Sequence, residues 1–148
     1  NFRMMKFATI ALLVAMIGLT EAGLFGKMQN VTVKGLFTCN DRRVAGVHVE
    51  LMEKDTADPD DKLAEMTTGK QGEFKLKGGE EEIGSIAPYL RVTHSCGAPT
   101  KKGKTCTWTR EYIVPKDKIY YPKEQEKVYD MGFVSLNVAD KKEKEKCK

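Results

Sequence analysis

The sequence predicts an all-β protein, a two-sheet antiparallel sandwich of seven to eight short strands closed by two disulfides. Three observations point there. Apolar and polar residues alternate with period two along most of the chain. Clusters containing Gly and Pro separate these runs at short intervals. Cys39, Cys96, Cys106 and Cys147 form an even set behind a leader that marks export, which favours two bridges over free thiols or a metal knuckle.

Residues 1–22 read as a secretory signal peptide, because Lys6 opens a positive region, residues 7–19 form an apolar run, and Thr20 and Ala22 place small residues before a cleavage point. The mature chain is then expected to begin at Gly23, and translation to start at Met4 or Met5, since Asn1 is not an initiator. The run falls short of the roughly 18 apolar residues a membrane-spanning helix needs, so no transmembrane anchor is expected. Residues 23–139 are assigned to the sandwich and 140–148 to a charged tail.

Each strand has its own alternation. Val31 and Val33 alternate with Thr32 and Lys34; Val47, Val49 and Leu51 with His48, Glu50 and Met52; Phe74 and Leu76 with Lys75 and Lys77; Leu90 and Val92 with Arg91 and Thr93. The β-rich runs 63–68, 107–114 and 128–138 complete the set, and residues 69–72, 78–79, 97–103 and 115–118 carry turn chemistry. Residues 80–86, which follow two glycines, are expected to form a turn or a single helical turn.

Charge and composition narrow the function. Removing Arg3, Lys6 and Glu21 with the leader takes 25 basic and 21 acidic residues to 23 and 20, a net charge of +3 that argues against a dedicated nucleic-acid binder. The apolar content left after the leader is lean, and each bridge would add about 2 to 4 kcal/mol by constraining the unfolded chain. Asn30-Val31-Thr32 is an N-glycosylation sequon compatible with the same route.

The residues resemble a known family. VTVKG at 31–35, Cys39, VAGVHVEL at 44–51, Asp55-Thr56, Thr68 followed by GEF at 72–74, LRVTHSC at 90–96, Cys106, YDMG at 129–132 and Leu136 are similar to the nematode transthyretin-like secreted proteins. Gly69 departs from that pattern, standing where the family usually carries Asp. The resemblance implies a transthyretin-like fold of two four-stranded sheets, with Cys39, Cys96 and Cys106 at one end. Cys147 must then reach that end whichever bridge it forms, so the tail is expected to be pinned; the pairing itself stays open.

Catalysis finds little support in the residues. The hydroxyisourate hydrolases share the transthyretin fold but use histidines, an arginine and a terminal Tyr-Arg-Gly-Ser, whereas this sequence reads Glu145-Lys146-Cys147-Lys148 there. Strand parity puts His48 on the face of Glu50 and His94 on the face of Leu90 and Val92, on opposite sides of a sheet. His94 is expected to be packed and hydrogen-bonded near a disulfide, and His48 to lie at the surface. No catalytic residue, metal ligand or cofactor is assigned. The loop holding Asp55, Asp58, Asp60 and Asp61 lacks calcium-loop spacing, because Ala57 and Pro59 fill the alternate positions.

The cationic segments are the candidate binding site. Lys101, Lys102 and Lys104 lie between Cys96 and Cys106, Trp108 follows, and Lys116 and Lys118 lie in the next connection. If the two loops meet, they form a basic patch suited to an anionic lipid surface, a sulfated glycan or an acidic extracellular receptor. The resemblance likewise implies a secreted, non-enzymatic binding or bridging module between a lipid or cell surface and a receptor. The alternatives are a carrier of a small apolar ligand in a transthyretin-like channel and a degenerate hydrolase relative.

Overall fold

The structure, a computed structural model, describes residues 26–56, 58–137 and 143–148. The leader and its cleavage point lie outside these residues. Ten strands are present rather than seven to eight: β1 (Lys27–Cys39), β2 (Arg42–Arg43), β3 (His48–Glu53), β4 (Asp61–Thr67), β5 (Glu73–Glu82), β6 (Pro88–His94), β7 (Thr100–Lys101), β8 (Lys104–Ile113), β9 (Val128–Ser135) and β10 (Lys144–Cys147). The three additional strands are β2, β7 and β10. The first two are single residue pairs flanking turns, too short to carry an alternation, and β10 is made of Lys, Glu and Cys.

The strands form two sheets. In one, β1 carries β5 along most of its length and β2 beyond it, and β9 runs parallel to β1 on the opposite edge, Thr38 pairing with both Arg43 and Ser135. The other has the order β10-β8-β6-β3-β4, all antiparallel. Between them lies a continuous apolar layer drawn from the period-two positions: Val31, Val33, Val49, Leu51, Leu90 and Val92 have essentially no exposed surface. Phe37 of β1 and Phe74 of the neighbouring β5 stack within this layer with ring centroids 4.7 Å apart. Gly35, opposite Phe74 in register, makes room for that ring, since a Cβ there would lie 2.8 Å from it.

Residues 80–82 do not turn but continue β5 to Glu82, and Gly78-Gly79 lies inside the strand. Packing explains the glycines. A Cβ on Gly78 would come within 2.6 Å of Leu63 Cβ on β4, so the edge strands of the two sheets approach closely there only because the side chain is absent. The turn at 69–72 is held by Gly72 at φ +68 and by Thr68, whose hydroxyl accepts from Val47 N at 3.1 Å and donates to Val44 O at 2.9 Å. A single 3-10 turn, Lys116–Lys118, follows β8. No helix among the described residues is long and apolar enough to cross a membrane.

Candidate functional site at the disulfide end of the sandwich

Two bridges organise one end of the molecule. Cys39 at the end of β1 is joined to Cys96, two residues past β6, with Cα atoms 5.8 Å apart, and so ties the two sheets together. Cys106 is joined to Cys147, its direct neighbour in the β8–β10 register. The charged tail is therefore pinned through Cys147, and its residues Lys144–Cys147 are a strand hydrogen-bonded to β8 rather than solvated coil.

The tail is held at its other end as well. Glu143 Oε1 lies 3.1 Å from His94 Nε2 and 3.0 Å from Arg110 Nη2, and all three side chains are more than nine-tenths buried. His94 Nε2 therefore carries the proton it donates to Glu143, and among the described residues Nδ1 faces no hydrogen-bond partner. Burial pushes the His94 pKa below the ordinary imidazole value, outweighing the hydrogen bond that His94 donates to Glu143. This cluster was legible only in part. Arg110 shares the inward parity of Cys106 on β8, and a cation on an apolar face requires a buried partner, but nothing in the sequence singled out Glu143.

The basic residues are rearranged relative to expectation. Lys101 and Lys102 enter a tight turn with Gly103, where Lys102 and Gly103 have φ of 51 and 74, and Lys104 opens β8. Lys116 and Lys118 sit beyond the other end of β8, which at about 3.4 Å per residue is roughly 30 Å away. The two loops do not meet, and the patch expected of all five lysines does not form. Lys101 is also neutralised in part, its Nζ lying 2.6 Å from Glu145 Oε1, and Lys118 pairs with Asp117 at 3.2 Å. The cations that do join Lys102 and Lys104 come from the tail: Lys148 N donates to Thr105 O, and Lys146 pairs with Thr107 across β8–β10. Among the described residues, no carboxylate lies within ion-pair distance of Lys102, Lys104, Lys146 or Lys148. Trp108 is half-buried on the inward side of β8, Tyr120 is buried with its hydroxyl 2.9 Å from Thr32 Oγ1, and Tyr121 is exposed.

The other singled-out residues fall elsewhere. His48 lies on the outer face of β3, 3.4 Å from Glu65 and 3.9 Å from Glu50, and Lys62 reaches the same Glu65 at 2.8 Å. The two histidines thus point to opposite faces of one sheet. Asp60 accepts a 2.6 Å hydrogen bond from Tyr89, whose pKa burial and this acceptor raise. Asn30 is half-buried inside β1 against Gly79, and the sequon hydroxyl of Thr32 donates to Glu126 at 2.7 Å; a folded strand is a poor setting for a glycan. An open groove of about 540 Å³ runs beside Leu36, Met66 and the exposed Phe133.

The model of the transthyretin-like family matches residues 34–115, more than half of the chain. The chain belongs to the transthyretin-like family. Its curated relatives include transthyretin-like protein 16 of Caenorhabditis elegans, 48% identical over 82% of this chain and 85% of the relative. Transthyretin-like protein 46 of the same organism is 37% identical over 89% of the chain and 72% of the relative, and transthyretin-like protein 2 is 36% identical over 90% and 91%. The family match runs from the second half of β1 through β8 and holds three of the four cysteines, Cys39, Cys96 and Cys106, while β10 and Cys147, which complete the transthyretin-like chain's second bridge, lie beyond it. Among solved structures, a 9R-lipoxygenase from Cyanothece PCC8801 matches at a TM-score of 0.39 with 17% identity, covering 74% of this chain and 16% of that one, too remote to bear on function.

Proposed function

We propose that this transthyretin-like chain is a secreted, non-catalytic binding module that recognises an anionic surface or receptor outside the cell. The observation that carries the reading is the set of lysines gathered at the disulfide end, Lys102 and Lys104 from the β7–β8 hairpin and Lys146 and Lys148 from β10, none with a carboxylate partner among the described residues. Two disulfides fix that end, so its charges are held in place before any ligand arrives, which limits the ordering cost of binding. The residues a hydrolytic base would need support the non-catalytic reading: His94 is spent on a buried ion cluster, and His48 is on the opposite face within a network of Glu50, Glu65 and Lys62.

The test is binding of the oxidised protein to vesicles containing phosphatidylserine, to heparin and to neutral counterparts of both, across a salt series. Binding to at least one anionic probe that weakens as the Debye length falls from about 10 Å at 0.1 M to about 3 Å at 1 M salt is the expected result. Equal binding to neutral and anionic probes, or none to either, overturns the reading.

A further inference from the structure

The outer face of the second sheet carries two rows of side chains in step. Along β8, Thr105, Thr107 and Thr109 alternate outward, while Cys106 and Arg110 point inward and are buried. Along β10 the register places Lys144 beside Thr109 and Lys146 beside Thr107, and Lys148 follows beside Thr105. Residues directly opposite in an antiparallel pair share a face, so the three lysines and the three threonines form adjacent parallel rows. Each row repeats at about 6.8 Å, two residues along a strand, and the rows are about 4.8 Å apart. Thr93 of β6 extends the hydroxyl row sideways, its Oγ1 lying 3.2 Å from Thr109 Oγ1. The four threonines, Lys146 and Lys148 line a groove of about 320 Å³, and Lys144 continues the lysine row beyond it.

We infer that this face binds a sulfated polysaccharide laid along β8 and β10. The inference rests on the anionic-surface reading above and names its ligand class. A lysine row beside a hydroxyl row suits a linear chain that itself repeats anionic groups and hydroxyls: the ammonium groups pair with sulfates, the Thr105 hydroxyl donates to a sulfate oxygen, and Thr107, whose own proton goes to Lys146 O at 3.3 Å, accepts from a sugar hydroxyl. Among the described residues, no carboxylate lies within ion-pair distance of Lys144, Lys146 or Lys148, whereas Glu50, Glu65 and Glu111 further along the same face are engaged by Lys62 and Arg91. A bilayer is a poorer fit. The groove is lined by threonine and lysine alone and offers no apolar side chain to enter an acyl layer, and the exposed Ile113 lies four residues beyond Thr109, about 14 Å away.

The experiment measures affinity of the full oxidised chain for heparin, for heparin stripped of its sulfates and for phosphatidylserine vesicles. Three proteins are compared: wild type, Lys144→Glu/Lys146→Glu/Lys148→Glu, and Thr105→Val/Thr107→Val. Valine keeps charge, shape and strand preference, so the last variant reads the hydroxyls alone and serves as the folded control if the charge reversal loosens β10. The expected result is heparin binding that requires sulfate, falls at least about tenfold in the lysine variant, and falls by about tenfold in the threonine variant, while the threonine variant leaves vesicle binding unchanged. Sulfate-independent binding, or heparin binding that survives both variants, overturns the inference. If vesicles bind and heparin does not, the anionic-surface reading stands and this inference fails. If no anionic probe binds, both fail.

Discussion

His94 and Glu143 are joined by a buried hydrogen bond, Nε2 to Oε1 at 3.1 Å, and the same carboxylate oxygen receives Arg110 at 3.0 Å. Glu143 is the residue that leads into β10, so the electrostatics of the sandwich interior and the anchoring of the tail are one arrangement. Glu143→Ala removes a carboxylate that both the buried Arg110 guanidinium and His94 donate to. Breaking a buried pair on one side costs about 3 to 5 kcal/mol, and the expected outcome is a loss of that order in urea unfolding. A loss under about 1 kcal/mol would place the pair among exposed salt bridges in its effect.

The His94 imidazole also gives stability a pH dependence of definite sign. Its folded pKa is depressed below the ordinary imidazole value of about 6.5 because burial penalises the charged form, so the unfolded chain binds the proton more readily. Stability from this group is therefore complete above about pH 6.5 and declines as pH falls from there through the folded value. Glu53 and Glu80 are held above the ordinary carboxyl range by burial and act in the opposite direction at lower pH, so the comparison must be with His94→Gln. Unfolding free energies measured from pH 8 to pH 5 should fall more steeply for the wild type than for that variant. Parallel curves would contradict the assignment of His94 as neutral in the folded state.

The disulfide pairing gives a chemical prediction that the sequence did not. Cys147→Ser should leave Cys106 as the one thiol alkylated without reduction, with Cys39 and Cys96 protected, and should lower stability by about 2 to 4 kcal/mol through the loop it opens. Peptide mapping after labelling decides it. Label on Cys39 or Cys96 would mean a different connectivity.

The four strands with a two-residue alternation, β1, β3, β5 and β6, were legible because each buries one face, so Val, Leu and Phe recur at alternate positions, while β4, β8 and β9 were legible as β-rich runs between turn signals. The strands that were not legible bury little. β10 is Lys-Glu-Lys-Cys with three exposed residues, and its place in the sheet comes from backbone pairing with β8, the Cys106 bridge and Glu143 rather than from a hydrophobic face. Gly78 and Gly79 misled for a related reason: glycine signals a turn locally, but here it answers to Leu63 and Asn30 packed from neighbouring strands. The basic patch was misassigned by the same locality. Lys116 is close to Lys104 in sequence, but the ten-residue strand between them carries it to the far end of the molecule, and the lysines that replace it, Lys146 and Lys148, come from the end of the sequence.

That separation makes the electrostatics of the two lysine sets distinguishable at constant charge. Lys102→Glu/Lys104→Glu and Lys116→Glu/Lys118→Glu change the net charge by the same four units, two positive charges removed and two negative added in each. Any effect that depends on overall charge alone must be equal in the two proteins. At 0.15 M salt the Debye length is about 8 Å, so charges roughly 30 Å from the disulfide end are screened from a ligand bound there. Binding to heparin or to anionic vesicles should therefore weaken by at least about fivefold in the first variant, taking a contribution of about 1 kcal/mol for one lysine as the lower bound, and stay near the wild-type value in the second. Lys102, Lys104 and Lys116 are exposed and Lys118 is half-buried, all in turns or at a strand end, so thermal stability should change little in either protein. Equal losses in the two variants would show that attraction is a property of net charge, and the disulfide end would then have no special part in recognition.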